Sequence, residues 1–111
     1  MLPRTHERKY IFTEIELQSA SGKRGARITD VSFGGCFVDT IVTARVGEKL
    51  VLKLDPDSER PVRLSGRVAY VLDGFGFGIE FDELMEESRS DLAKFLEDVS
   101  AWNGLRSPIS E

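Results

Sequence analysis

Arg4 and Arg8 open this sequence as R-x-x-x-R, and Asp30-Val31-Ser32-Phe33-Gly34-Gly35 forms D-x-S-x-x-G after 21 intervening residues. Together the two motifs supply two guanidiniums, a carboxylate, a hydroxyl and a glycine turn. Each guanidinium is a planar fork of donors that fits two phosphate oxygens or the O6/N7 edge of guanine, and it also stacks on a purine face. Lysine supplies the charge without the fork. An ionised Asp only accepts, so Asp30 matches the N1–H and N2–H donors on the Watson–Crick edge of guanine. Ser32 can donate to a phosphate or base atom, while Gly34 and Gly35 permit positive φ and close approach of a ligand to the backbone. The set suits a small ligand carrying both phosphates and a purine edge. Each motif alone has a plainer account: a charged chain end for the arginines, and an Asx or Ser turn between strands for D-x-S-x-x-G.

The elements that must position these groups read as strands followed by one helix. Lys9 to Leu17 is β-prone, with Tyr10, Ile11, Phe12, Ile15 and Leu17 among interspersed charges. Ser19 to Gly25 reads as a turn-rich stretch, Ala26 to Thr29 as a second strand and Cys36 to Asp39 as a third. Leu50, Leu52 and Leu54 alternate with Val51 and Lys53, the period of a half-buried strand. The loop composition of 55–61 separates this strand from the next, where Leu64, Val68, Tyr70 and Leu72 are predicted to share one face opposite Arg63, Ser65 and Arg67. Asp73-Gly74 signals a hairpin, and Gly78-Ile79-Glu80-Phe81 continues as its returning strand. Phe75 and Phe77 are the aromatics expected at the surface. Helical spacing appears only near the end, where Leu92, Phe95, Leu96, Val99 and Trp102 form one apolar stripe. Ser88 with Asp91 resembles a capping box, and Gly104 is the expected stop. Five or six short strands and one amphipathic helix predict a small antiparallel barrel or sandwich capped by that helix, with Phe95 and Trp102 as core anchors.

Bulk properties bound the function. A chain of 111 residues with 41% hydrophobic content is one domain able to bury a core. No apolar run approaches the roughly 20 residues that span a bilayer, and Met1 to Lys9 lacks the apolar segment of a signal peptide. The single cysteine, Cys36, cannot form an internal disulfide and fits a reducing cytoplasm; it is expected as a small buried hydrophobe. The net charge of −4 argues against a bulk binder of nucleic acid or anionic membrane. Its distribution is uneven: residues 1–27 hold six Lys/Arg against three Glu, and 80–98 hold eight acids against Arg89 and Lys94. Converging arginines still attract an anion locally, because exposed charges are screened beyond about 8 Å. The acidic stretch reads as a solvated helix face.

The two motifs, in this order and at this spacing, resemble the paired signature of PilZ domains, bacterial receptors for the second messenger cyclic di-GMP. Gly78-Ile79-Glu80-Phe81 also resembles the family's late G-[IV]-x-F strand, and many members carry a terminal amphipathic helix. The resemblance spans roughly residues 4–103. It implies a mainly β fold, a six-stranded antiparallel β-barrel with a C-terminal α-helix: an arm at 1–9, the barrel at 10–82, the helix at 83–103 and a tail at 104–111. It further implies a mobile arm whose Arg4 and Arg8 hold phosphates and guanine edges, with Asp30 and Ser32 reading guanine and nearby phosphate and Gly35 holding the turn. Ordering of the arm around the ligand is then the output, passed to a separate protein effector in motility, biofilm or exopolysaccharide control. One departure is Pro3, where members often have another Arg or Lys associated with gripping a stacked ligand dimer. Lys9, Gly34 and Arg27 are accessory candidates, with Arg24 able to supply a further charge.

Catalysis finds little support. One histidine, His6, and one cysteine cannot build a usual zinc site, so no metal and no cofactor are expected. Ser32 has no evident base, and D-x-S-x-x-G is not a nucleophile elbow. The acids at 82–87 are accounted for by a helix start, and Gly74 to Gly78 misses the spacing of a phosphate loop. Two other classes remain: a PilZ-fold interaction module that binds no nucleotide, and a small-barrel binder of single-stranded nucleic acid. The latter requires a basic, aromatic face and retention on heparin at low salt.

Overall fold

A computed structural model describes the backbone of residues 9–41 and 44–105, and the side chains of 13–41 and 44–98. Its strands are β1 (Lys9–Ser19), β2 (Gly22–Val31), β3 (Gly35–Asp39), β4 (Lys49–Leu54), β5 (Val62–Leu72) and β6 (Gly76–Phe81), followed by helix α1 (Glu86–Leu105). All neighbouring strands are antiparallel, and the sheet closes in the order β1-β2-β3-β6-β5-β4. Closure removes the free edges that an open sheet of this size would present. Of the two architectures the strand pattern allows, the barrel is the one formed.

Alternation fills the interior. Leu50, Leu52 and Leu54 of β4 point inward, as do Ile15 and Leu17, Ile28 and Val31, Cys36 and Val38, Val62, Leu64 and Val68, and Phe77, Ile79 and Phe81. Leu92 and Leu96 of α1 join the same core, with Phe95 packed partly buried against it. The helix lies against β5 and β1. Arg60, in the β4–β5 loop, ties it down through Asp91 at 3.2 Å and Glu87 at 3.8 Å. Val99 and Trp102 belong to α1, but their side chains lie outside the described ones.

Several local expectations are corrected. The stretch 19–25 is not a broad turn: Ser19 pairs with Gly22, so only Ala20 and Ser21 connect β1 to β2, and Lys23 to Gly25 are strand. The long ladder to β1 overrides the turn propensity of the glycines. The helix begins ahead of Ser88, because the Arg89 N–H already donates to the Met85 carbonyl at 2.8 Å. Ser88 therefore sits inside the first turn rather than capping it. Glu86 and Glu87 occupy that turn, where the positive end of the macrodipole favours them. Gly104 falls within the last turn rather than after it. Phe77 is 1% exposed, in the core, whereas Phe75 stands out in the turn.

The largest correction concerns β5. Its pairing with β6 slips by one residue between Val68 and Tyr70, so Ala69 is an extra residue opposite no partner. Such a bulge reverses which face the next side chains occupy. Val68 remains in the core, while Tyr70 and Leu72 turn outward and Val71 packs inward.

Candidate ligand site

β2 carries a second bulge at the motif. Ile28 pairs with Val38 and Asp30 with Phe37, leaving Thr29 as the extra residue. Ile28 and Val31 are thus both buried although three apart, and Asp30 is turned to the outer surface at the end of the strand. Without the bulge, strict alternation from Ile28 would send Asp30 into the apolar interior, where a carboxylate is heavily penalised. Asp30 is partly buried, beside Tyr10 of β1 and Phe37 of β3 in the register.

The turn after Asp30 is held from within. The Ser32 N–H donates to the Gly35 carbonyl at 2.8 Å, and the Gly34 N–H donates to Ser32 Oγ at 3.1 Å. The Ser32 hydroxyl in turn lies 3.4 Å from the Gly35 carbonyl. Only 4% of Ser32 is exposed. Its hydroxyl is therefore engaged in shaping the turn. The Gly34 carbonyl accepts from the Phe81 N–H at 2.9 Å, which fastens the turn to the end of β6.

Gly35 owes its identity to a different neighbour than its motif suggests. Its φ lies outside the left-handed region, and a Cβ placed on it would stand 2.1 Å from the Ile79 carbonyl oxygen of β6. The glycine is required by the close approach of β3 and β6 rather than by positive φ. Arg27, an accessory candidate, lies 3.8 Å from Asp39 across β2 and β3, with both side chains more than 40% exposed. Such a pair is worth at most about 1 kcal/mol, so the guanidinium is readily redirected.

Arg4 and Arg8 lie outside the described residues. So does the side chain of Lys9, whose backbone pairs with Val31. Asp30, Ser32, Gly34 and Gly35 are brought together at one end of the barrel, the end where β1 begins and β6 finishes. Two neighbours are not legible in the sequence. Arg89 of α1 stacks over the Phe33 ring of the motif turn at 5.2 Å. Phe37 stacks with Tyr70, ring centroids 6.2 Å apart and planes 28° from parallel. The only local signal for the second pair is the run Arg67-Val68-Ala69-Tyr70, in which periodicity alone assigns Tyr70 to the wrong face. Among the described residues, no group of three or more His, Cys, Asp or Glu side chains converges to hold a metal ion, and no helix is long and apolar enough to cross a membrane.

A family model described as PilZ domain matches residues 3–98. The chain belongs to the PilZ family. No curated protein matches the sequence. Among solved structures, the Bacillus subtilis inhibitor of motility (MotI/DgrA) superposes with a TM-score of 0.70 at 16% identity, over 86% of this chain and 49% of that one. The chain thus spans about half the length of that protein. The PilZ domain of CeSA from a cellulose-synthesizing bacterium gives a TM-score of 0.68 at 16% identity, over 85% and 98% of the two chains. PilZ domains are a receptor family for cyclic di-GMP, and its members are receptor or adaptor domains rather than enzymes.

Proposed function

We propose that this PilZ domain is a cyclic di-GMP receptor of the bacterial cytoplasm, acting as an adaptor for a separate protein. Arg4 and Arg8 grip phosphates and a guanine edge, and Asp30 accepts from the guanine N1–H and N2–H donors. Ser32 and Gly35 serve chiefly by holding the turn in which Asp30 stands. The arm at 1–9 orders around the ligand, and the surface it creates is what the effector reads.

The observation carrying this reading is the β1–β2 register. Lys9 pairs with Val31 and Tyr10 with Asp30, so the chain enters the barrel directly beside the motif turn. Arg8 is bonded to Lys9, and the four residues back to Arg4 span at most about 14 Å when fully extended. Both guanidiniums are thereby within chain reach of a ligand seated at Asp30.

The test is a calorimetric titration with cyclic di-GMP of the wild type, Arg8→Ala and Asp30→Ala. Binding at micromolar Kd or tighter, about −8 kcal/mol or better, is expected, with each variant at least tenfold weaker. Absence of both heat and thermal shift in the wild type refutes the receptor reading and leaves an interaction module that binds no nucleotide.

A further inference from the structure

We infer that Phe37 and Tyr70 form a stacking shelf for the face of the purine whose edge Asp30 reads. This rests on the receptor reading above and deepens it, by adding two residues outside both signature motifs.

The two bulges make the shelf. Thr29 and Ala69 are the unpaired extra residues of β2 and β5, and each reverses the facing of the residues after it. Asp30 pairs with Phe37, Phe37 with Gly78, and Gly78 with Tyr70. Directly paired residues project from the same face of a sheet. Carboxylate, phenyl ring and phenol ring therefore stand in one transverse row on the outside of the barrel, across β2, β3, β6 and β5.

The floor under the rings is glycine. A Cβ on Gly78 would lie 2.2 Å from Cε1 of Tyr70, and one on Gly76 would lie 3.1 Å from Cε2 of Phe37. Both rings thus lie down over Gly76 and Gly78, where β6 offers no side chain, and the exposed Glu80 follows on the same face. Their planes are 28° from parallel with centroids 6.2 Å apart, so the two rings pack as one aromatic pair of which Tyr70 is the more open member. Tyr70 nevertheless keeps 43% of its surface exposed, so the shelf is covered from below and open above.

A flat aromatic surface beside a carboxylate performs two recognitions on one planar base. The face stacks on the rings whatever the base, since every base has a π-face. The edge is sorted by Asp30, which accepts from donor pairs such as guanine N1–H and N2–H. Asp30 and Phe37 are adjacent partners, with Cβ atoms about 5 Å apart at such a pair. One bicyclic purine covers that separation.

The experiment is a titration of the full chain with cyclic di-GMP, comparing wild type with Tyr70→Phe and Tyr70→Leu. It is paired with aromatic proton NMR and thermal unfolding of each variant. Leucine keeps an apolar cover over Gly78 but removes the flat ring, which separates stacking from structural support. Tyr70→Phe is expected within twofold of wild type, and Tyr70→Leu about tenfold weaker at unchanged stoichiometry. Ring protons of Tyr70 and Phe37 are expected to move upfield as ligand saturates. If the wild type binds while Tyr70→Leu binds equally well, or the ring protons stay in place, the shelf is refuted and the receptor reading stands. If the wild type does not bind, both fall together.

Discussion

Replacing Gly35 by alanine separates two accounts of the last residue of D-x-S-x-x-G. If the glycine exists so that a ligand can approach the backbone, Gly35→Ala folds normally and loses affinity. The geometry predicts instead that it destabilises the barrel. The added Cβ would sit 2.1 Å from the Ile79 carbonyl oxygen, about 1.3 Å short of ordinary contact, with Ile79 C at 3.2 Å and Glu80 Cα at 3.4 Å. All three are backbone atoms of β6, so no side-chain rotation relieves the clash. The strands must part where Gly35 pairs with Glu80 and Cys36 with Ile79. That strains the Ser32 N–H bond to the Gly35 carbonyl and the Phe81 N–H bond to the Gly34 carbonyl. Overpacking of this kind costs about 1–3 kcal/mol, and each weakened hydrogen bond adds up to about 1 kcal/mol. A loss of about 3 kcal/mol is expected, lowering Tm by roughly 13 °C for a domain of this size. Circular dichroism during thermal and urea unfolding measures it. Gly25→Ala is the control: its Cβ would meet only the Ile15 carbonyl at 4.0 Å, and a change within about 0.5 kcal/mol is expected. A Gly35→Ala protein that melts within about 2 °C of wild type refutes the strand-approach account.

Two further outcomes test how the helix is held. Leu92 is fully buried in the core it shares with the strands, so Leu92→Ala should lose about 2–5 kcal/mol in urea unfolding; a loss under about 1 kcal/mol means α1 is not docked as described. Arg60→Ala removes the exposed ion pairs to Glu87 and Asp91, and should cost no more than about 1 kcal/mol, a difference that shrinks further in about 0.5 M salt.

The comparison with MotI and CeSA rests on shape, since at 16% identity the shared feature is the fold. What they are named for, motility inhibition and a cellulose-synthesizing bacterium, belongs to those proteins. The proposed effector is to be sought with cyclic di-GMP present and absent, and under the receptor reading the Arg8→Ala variant supplies the matched control for ligand-dependent capture.

The sequence by itself determined the parts governed by local rules. The period-two leucines of β4, the 3.6-residue stripe that buries Leu92 and Leu96, the loop at 55–61 and the Asp73-Gly74 turn are all written in neighbouring residues. The family signature is likewise local, because each motif lies within a few residues of chain. What the tertiary structure decided involves pairs of strands distant in sequence. A bulge is a mismatch in length between two partners, so neither Ala69 nor Thr29 declares itself without β6 or β3 alongside. That is why alternation assigns Tyr70 and Leu72 inward although both stand outside, and why Asp30 comes to share a face with Phe37. The same reasoning applies to Gly35. A glycine in a turn motif reads as a conformational need until the Ile79 carbonyl, 44 residues away in the chain, is seen to occupy the space of its missing side chain.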